Sequence, residues 1–141
     1  AQKALDRIAR DPRPFSVLLL DVDHFKRVND LHGHAMGDAV LCAVADALVK
    51  EVRSGDDVGR FGGEEFLVLA YDADLEMAER AAERMRVAIE ALTRVGLPRV
   101  TVSVGVATLT DGETLASLLA RTDAALYRAK NAGRNRVAVA A

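Results

Sequence analysis

Residues 57–70 read DVGRFGGEEFLVLA, in which two short apolar runs flank the pair Gly62-Gly63. Two apolar runs joined across glycines are typical of a β-hairpin. Single strands and helical patterns alternate on both sides of this segment. An antiparallel hairpin among such units predicts an α+β fold with a mixed, mainly antiparallel central sheet flanked by helices.

Hydrophobic periodicity predicts the remaining elements. Residues 15–20 form a nearly continuous apolar run, which is typical of a strand buried on both faces. Further strands are expected at residues 100–106 and 137–139. Helices are expected at residues 1–10, 24–33, 37–52, 74–92 and 116–130, so that the chain runs α-β-α-α-β-β-α-β-α-β.

The composition suits one compact domain. The 141 residues are 50% hydrophobic and 28% charged, with a formal net charge of -2, which is ordinary for a domain with a single core. The negative charge argues against binding along a nucleic acid polymer, because that requires a basic surface. No apolar run approaches the roughly 18 residues of a membrane-spanning helix, so we expect no membrane contact by this domain.

The single cysteine, Cys42, excludes an internal disulfide and indicates a reducing compartment. Its position on the apolar face of a predicted helix places it in the core. The sequence begins without methionine, which suggests a domain cut from a longer protein. We therefore expect one domain over residues 1–141, excised from a longer sensor protein, with a cytoplasmic location even where the full-length protein is membrane-tethered.

Acidic residues follow the first strand and the glycine pair. Asp21 and Asp23 end the buried strand, where α/β sheets bind ligands; either could instead cap the next helix, which is the preferred interpretation of Asp23. A hairpin beside the first strand would bring Glu64 and Glu65 close to Asp21, although a solvated acidic turn is the alternative. Mg²⁺ prefers a few carboxylate oxygens together with substrate phosphates. Two such ions about 3.5–4 Å apart suit in-line displacement at phosphorus.

Asn29 and Asp38 are candidates for binding a guanine base. An aspartate accepts two hydrogen bonds, and guanine offers N1–H and N2–H as a pair of donors that adenine lacks. The alternative is that Asp38 caps a helix and Asn29 lies in a turn.

Phosphate could be bound at two places. Gly62 and Gly63 have no side chains, so a phosphate can approach their backbone closely. Lys130 and Arg134 surround the end of the last helix and could neutralise phosphate charge. The alternative for these two cations is a favourable interaction with the helix dipole.

Four stretches of the chain share their order and spacing with one known family. They are residues 21–38 (DVDHFKRVNDLHGHAMGD), 62–66 (GGEEF), 101–107 (TVSVGVA) and 121–135 (RTDAALYRAKNAGRN). Together they resemble the diguanylate cyclases of the GGDEF family, in the GGEEF form of its signature. The resemblance implies the fold shared by class III nucleotidyl cyclases and polymerase palm domains.

The resemblance also implies a role for each matching position. The catalytic and metal-binding set, with two Mg²⁺ or Mn²⁺ ions per active site, would be Asp21, Glu64 and Glu65 with the Val22 carbonyl. Guanine would be recognised by Asn29 and Asp38, with Leu41 as a wall of the base pocket. The phosphates of GTP would meet Lys130, Arg134 and the backbone at His24, Phe25, Gly62 and Gly63.

Arg53-Ser-Gly-Asp56 lies just before the glycine pair and matches the RxxD site at which the family binds its product as an inhibitor. Arg84 is a second candidate contact for that product. The alternative is a polar loop between helix and strand. Arg60 is expected to pair with a nearby acid.

The reaction implied is the conversion of two GTP into cyclic di-GMP and two pyrophosphates. Each domain of a homodimer would hold one GTP, and each 3′-OH would attack the α-phosphate of the other GTP in line with the departing pyrophosphate. Three alternatives stay open: a receptor that binds nucleotide without turnover, a cyclase for adenine or mixed bases, and a dimerising interaction module. The intact signature and Asp38 favour the diguanylate cyclase.

Overall fold

The computed structural model describes residues 13–140, and the helix predicted at residues 1–10 lies outside this range. Within it the chain forms nine elements: β1 (Phe15–Val22), α1 (Phe25–His32), α2 (His34–Glu51), β2 (Asp57–Arg60), β3 (Glu65–Tyr71), α3 (Leu75–Glu90), β4 (Val102–Thr108), α4 (Leu115–Asn131) and β5 (Val137–Val139). Every element predicted in this range is present in the predicted order. None of the helices described here has the length and apolar character needed to cross a membrane.

The five strands form one sheet in the order β2-β3-β1-β4-β5. The central strand β1 pairs antiparallel with β3 and with β4, and β2 extends the sheet antiparallel to β3. Among the described strands only β4 and β5 run parallel. The prediction of a mixed, mainly antiparallel sheet is therefore confirmed.

Helices cover both faces of this sheet. On one face, Leu18 and Leu20 of β1 pack with residues of α1, α2 and α3. On the other face, Phe15 and Val17 pack in a smaller cluster with Leu118 of α4. Since successive side chains of a strand point to opposite faces, the continuous apolar run of β1 supplies both cores at once.

The prediction that Cys42 lies in the core is wrong, because Cys42 is exposed. The core-facing side of α2 is formed by Val40, Leu41, Val44 and Leu48. Each residue of an α-helix is rotated by about 100° from the one before it. Position 42 therefore lies on the solvent side of the helix, although its neighbour Leu41 is buried.

Helix α4 lies directly against β4 at Gly105. A Cβ atom at this position would lie 2.4 Å from both the Leu126 backbone nitrogen and the Thr122 carbonyl oxygen. Neither atom belongs to a side chain that could rotate away. Glycine at this position therefore decides how closely α4 approaches the sheet.

We predict that Gly105→Ala destabilises the domain by at least about 1–3 kcal/mol, the usual cost of overpacking a core. Urea denaturation followed by circular dichroism measures this change. Gly59→Ala is the matched control, because it also adds a methyl group in a strand, yet a Cβ at Gly59 meets nothing within 4 Å. Equal stability of the two variants would contradict the packing argument.

A partly buried ion pair holds the loop between β4 and α4. The Arg121 guanidinium donates to both carboxylate oxygens of Glu113, each at 2.7 Å, and to the Thr108 carbonyl at 2.7 Å. Only 7% of the Glu113 side chain is exposed. The hydrogen bond from Arg121, with smaller contributions from the Thr110 amide and the Ser117 hydroxyl, lowers the pKa of Glu113 to about 2.

We predict that this ion pair makes the stability of the domain sensitive to acid. Because the pKa of Glu113 is lower in the folded chain (about 2) than its ordinary 4.5, its contribution is complete above pH 4.5 and is lost as the pH falls toward 2. Urea titrations between pH 7 and pH 2.5 should show a shallower loss of stability in Glu113→Gln, which is already less stable than the wild type at pH 7. Glu76→Gln is the control, since the Glu76–Arg80 pair is exposed and such pairs contribute little.

Candidate active site

Three carboxylates meet where the central strand ends. Asp21, near the end of β1, pairs in register with Glu65 of β3. The Val22 amide donates a hydrogen bond to the Glu64 carbonyl at 3.2 Å, which continues this pairing into the hairpin turn. The structure therefore brings Asp21, Glu64 and Glu65 together, as the hairpin pattern predicted.

Burial and the charge of Asp21 raise the pKa of both Glu64 and Glu65. Burial is the largest cause of the raised pKa of Glu64, followed by the negative charge of Asp21, and a hydrogen bond between the two side chains adds to the shift. Burial and then the charge of Asp21 also raise the pKa of Glu65. Negative charge is therefore concentrated at a partly dehydrated edge of the sheet, where a cation is stabilised.

A lysine from α4 supplies positive charge to this edge. The Lys130 ammonium donates a hydrogen bond to the Asp21 carboxylate, whose side chain is 6% exposed. Its charge lowers the pKa of both Glu64 and Glu65, in opposition to burial and to Asp21. The two residues are 109 positions apart in the chain, so the contact depends on α4 packing back over the sheet.

Asp123 is an acidic neighbour of this group that the sequence analysis did not identify. Its charge contributes to the raised pKa of Glu65. Asp123 lies two helical turns before Lys130 on α4, and this seven-residue spacing is the signal that could have placed both on one helix face. Between residues 13 and 140, no group of three or more His, Cys, Asp or Glu side chains is arranged so that it could hold a metal ion.

Asn29 carries a buried oxygen without a partner. Its Oδ1 atom has no hydrogen bond within the described part of the chain. It lies against Gly37, where a Cβ would be 2.0 Å from this oxygen, so glycine is required for the contact. An unsatisfied buried acceptor is costly and suits a ligand that brings a hydrogen-bond donor.

The alternatives considered for the two base-binding candidates are wrong. Asn29 lies within α1 and not in a turn. Asp38 lies in the body of α2, whose N-cap is Gly33, and does not cap it. Asp38 is exposed and follows Gly37, the residue that the Asn29 side chain contacts. Leu41 is buried one turn further along α2.

The turn between β1 and α1 is tight. His24 adopts a left-handed conformation, with φ of 55°, and is exposed. Phe25 begins α1 and is buried, with its ring against Gly37. The turn therefore leaves the backbone at His24 accessible beside Asp21, while Phe25 fixes α1 to α2.

The hairpin turn and the end of α4 present the remaining phosphate-binding candidates. Gly62 and Gly63 are exposed. Arg134 follows α4 and is also exposed, and its guanidinium has no hydrogen-bond or ion-pair partner in the described range. These groups are therefore available to an anionic ligand.

Among residues 13–140, Arg60 has no acidic partner, which corrects the prediction. Its guanidinium donates a hydrogen bond to the Gly63 carbonyl at 2.5 Å and lies 5.8 Å from the centre of the Phe66 ring. The hairpin turn brings that carbonyl back over Arg60, three residues earlier. A backbone acceptor thus takes the place of the expected carboxylate.

Asp23 does not cap α1, which corrects a second prediction. The N-cap position belongs to His24, which makes no side-chain cap. Asp23 is buried and accepts hydrogen bonds from the Thr101 hydroxyl at 2.7 Å, the Ser103 hydroxyl at 2.6 Å and the Asn135 amide at 3.0 Å. Donors 78 to 112 positions away leave no signal near Asp23 in the sequence.

The RxxD segment forms a separate site at the other end of β3. Arg53 donates to the Tyr71 carbonyl at 2.5 Å and lies 3.6 Å from the Asp56 carboxylate, which in turn accepts from the Tyr71 amide. Arg53, Asp56 and Arg84 line one cavity of about 200 Å³. The segment is therefore anchored to β3, and Arg84 of α3 faces the same space.

The chain is similar to proteins of one family. Residues 1–136 match the family model described as diguanylate cyclase, GGDEF domain. The chain is 50% identical to the diguanylate cyclase DgcM of Escherichia coli over 94% of its own length and 32% of that protein. It is 44% identical to the diguanylate cyclase VdcA of Vibrio cholerae over 86% of its length and 38% of that protein. It thus spans about a third of these curated relatives.

Solved structures agree with this similarity. The active GGEEF domain of a diguanylate cyclase from Vibrio cholerae superimposes with a TM-score of 0.91 at 33% identity, covering 99% of this chain and 90% of that one. The GGDEF domain of DgcB from Caulobacter crescentus, in complex with c-di-GMP, superimposes with a TM-score of 0.90 at 34% identity, covering 97% and 84%. The predicted fold class is confirmed.

Proposed function

This chain belongs to the GGDEF family of diguanylate cyclases, and we propose on that premise that it condenses two GTP into cyclic di-GMP and two pyrophosphates. The observation that carries the proposal is the meeting of Asp21, Glu64 and Glu65 with Lys130 at one edge of the sheet. Negative side chains gathered beside an accessible backbone turn suit a metal-bound triphosphate.

The oxygen atoms at this edge are of the kind that a divalent cation binds. Asp21, Glu64, Glu65 and the Val22 carbonyl would supply hard oxygen ligands for Mg²⁺ or Mn²⁺, with two ions in each active site. The raised pKa values of Glu64 and Glu65 and the Lys130 ammonium on Asp21 support a site that stabilises positive charge. When bound, the metal would neutralise charge on the reacting phosphates and activate the attacking hydroxyl.

Asn29 and Asp38 would select guanine. The Asp38 carboxylate is exposed and can accept hydrogen bonds from N1–H and N2–H of the base. The unpartnered Oδ1 of Asn29 can accept another from the amino group. Leu41 would form an apolar wall of the pocket. Adenine offers no matching pair of donors, so ATP should be a poor substrate.

The triphosphate would lie between the β1–α1 turn and the end of α4. The backbone at His24 and Phe25 and the exposed Gly62 and Gly63 can approach phosphate oxygens closely. Lys130 and Arg134 would bind the β- and γ-phosphates and stabilise the departing pyrophosphate. The Arg134 guanidinium has no partner among residues 13–140, which supports this assignment.

Catalysis would require two copies of the domain. Each would hold one GTP, and a two-fold axis would place each 3′-OH in line with the α-phosphate of the other nucleotide. Glu65 is a candidate to accept the proton of the 3′-OH, because its carboxylate lies at this edge of the sheet in register with Asp21. We also propose that the domain lies in the cytoplasm. Its substrate would be GTP, and it would bind no nucleic acid polymer.

The decisive experiment is a product assay on the wild type and on Glu64→Gln. With GTP and Mg²⁺ or Mn²⁺ at high protein concentration, the wild type should form cyclic di-GMP. Glu64→Gln should lose about 10²–10³-fold in kcat, the usual effect of removing one group that stabilises charge in a transition state. Chromatography of the nucleotides measures both rates.

Glu79→Gln is the control for this assay, because Glu79 is an exposed carboxylate on α3. It should retain wild-type turnover. GTP binding by the wild type without any product would instead indicate a nucleotide receptor. Equal turnover of ATP alone would contradict the assignment of Asn29 and Asp38 to guanine.

We propose that Arg53, Asp56 and Arg84 bind the product as an inhibitor. Their common cavity of about 200 Å³ supports this role, as does the anchoring of Arg53 and Asp56 to Tyr71. Product bound there would link two domains in an arrangement that keeps their active sites apart. This site lies at the opposite end of β3 from Glu65, so substrate and product need not compete directly.

We predict that Arg53→Ala weakens inhibition by cyclic di-GMP at least about tenfold, since it removes a charge-assisted contact to phosphate. Inhibition curves at fixed GTP measure the change. Arg94→Ala is the control, because Arg94 is exposed and pairs only loosely with Asp46, at 3.5 Å. Because Arg53 also holds the Tyr71 carbonyl, thermal unfolding of each variant is recorded first. An unchanged inhibition constant in folded Arg53→Ala would refute the assignment.

A further inference from the structure

Asp23 is a buried carboxylate for which the proposed reaction has no use. Its Oδ2 atom accepts hydrogen bonds from the Thr101 hydroxyl and the Asn135 amide, and its Oδ1 atom accepts one from the Ser103 hydroxyl. A buried charge is costly unless it is fully hydrogen-bonded. Three donors from two distant segments therefore indicate that Asp23 holds those segments in place.

The segment that Asp23 holds through Asn135 has an unusual backbone. Gly133, Arg134 and Asn135 are consecutive residues with positive φ, of 125°, 63° and 46°. Side chains other than glycine rarely adopt this conformation, because Cβ comes close to the following carbonyl oxygen. Such strain persists only where the surrounding structure imposes it.

The side chain of Asn135 is fixed as well as its amide. Its Nδ2 donates to Glu90 at 2.6 Å, and its Oδ1 accepts from Arg86 at 2.8 Å. Both partners belong to α3. Asn135 is therefore held between β1, through Asp23, and α3, while the adjacent Arg134 guanidinium has no partner in the described range.

Helix α4 and the segment that follows it are thus each tied to the end of β1 and the turn beyond it at one point. Lys130 contacts Asp21, and the Asn135 amide contacts Asp23. Asp21 and Asp23 are two positions apart in the chain. Asp21 holds Lys130, a candidate for binding the triphosphate, and Asp23 holds Asn135, the neighbour of the candidate Arg134. The hydrogen bond from the Asn135 amide to Asp23 therefore determines where the backbone of Arg134 lies relative to Lys130.

We propose that Asp23 is a positioning residue for Arg134. Its hydrogen bond to the Asn135 amide holds the left-handed Arg134-Asn135 backbone, and this keeps the Arg134 guanidinium at the phosphate-binding edge. The inference rests on the proposed function, in which Arg134 binds the terminal phosphates of GTP. Asp23 itself would touch neither nucleotide nor metal.

The test compares a nucleotide that carries the terminal phosphates with one that lacks them. Calorimetric titration with a GTP analogue carrying a methylene bridge between the α- and β-phosphates reports the terminal phosphates without turnover. Titration with GMP reports the guanine site alone. Wild type, Asp23→Ala, Asp23→Asn, Arg134→Ala and the Asp23→Ala/Arg134→Ala double variant are measured with both ligands.

Asp23→Ala should bind the analogue about tenfold more weakly, as expected for one lost charge-assisted hydrogen bond, and should bind GMP within twofold of the wild type. Arg134→Ala should show the same pattern, and the double variant should lose no more than either single variant. Asp23→Asn should bind the analogue nearly as the wild type does, because its amide oxygen can still accept from Asn135 while its NH₂ donates to Ser103.

The inference would be overturned if Asp23→Ala lost affinity for GMP and for the analogue equally. Additive losses of affinity in the double variant would also overturn it. So would a loss of affinity in Asp23→Asn as large as that in Asp23→Ala. If Asp23→Ala does not fold, the Thr101→Val/Ser103→Ala variant replaces it and should show a smaller loss that is again confined to the analogue. In this variant, too, an equal loss of affinity for GMP and for the analogue would overturn the inference. If the wild type bound neither ligand, the proposed function would fail first, and this inference with it.

Discussion

The meeting of the carboxylates of Asp21, Glu64 and Glu65 at one edge of the sheet is the constraint on which the proposed active site depends. Burial and then the negative charge of Asp21 raise the pKa of Glu64 and Glu65, so the ionised form of both glutamates is disfavoured at this edge unless a cation is nearby. The Lys130 ammonium supplies that charge to Asp21. Negative charge on partly buried carboxylates is costly unless a cation lies nearby. A sheet edge of this kind therefore favours the binding of a divalent ion together with a triphosphate.

The antiparallel pairing of β1 with β3 makes this gathering of charge unavoidable. Because Asp21 is in register with Glu65, the pairing that stabilises the central sheet also holds these carboxylates close together. Two cores, one on each face of β1, contribute that stability. The hydrophobic burial of the domain thus offsets the electrostatic cost at one edge of it.

Helix α4 completes the site because it can approach the sheet closely. Gly105 lets the backbone of α4 lie against β4, and the Glu113–Arg121 pair holds the loop that leads into the helix. The far end of α4 then delivers Lys130 to Asp21. The RxxD segment, in contrast, is fixed to Tyr71 at the opposite end of β3, so the two proposed ligand sites are joined by one strand.

The sequence by itself determined the elements, their order, the mixed sheet and the meeting of Asp21 with Glu64 and Glu65. These follow from local signals, since periodicity within a segment reports burial and a glycine pair between apolar runs reports a hairpin. The family resemblance, read from four ordered blocks, indicated the same site.

Only the tertiary structure decided what Asp23, Arg60 and Cys42 do. Asp23 is bonded to donors 78 to 112 positions away, Arg60 to a carbonyl that a turn folds back over it, and Cys42 lies just beyond the buried side of α2. The unpartnered oxygen of Asn29 likewise depends on how closely Gly37 of α2 approaches α1. Periodicity records which residues are buried, but the partner of a buried polar group is chosen by three-dimensional packing between distant segments.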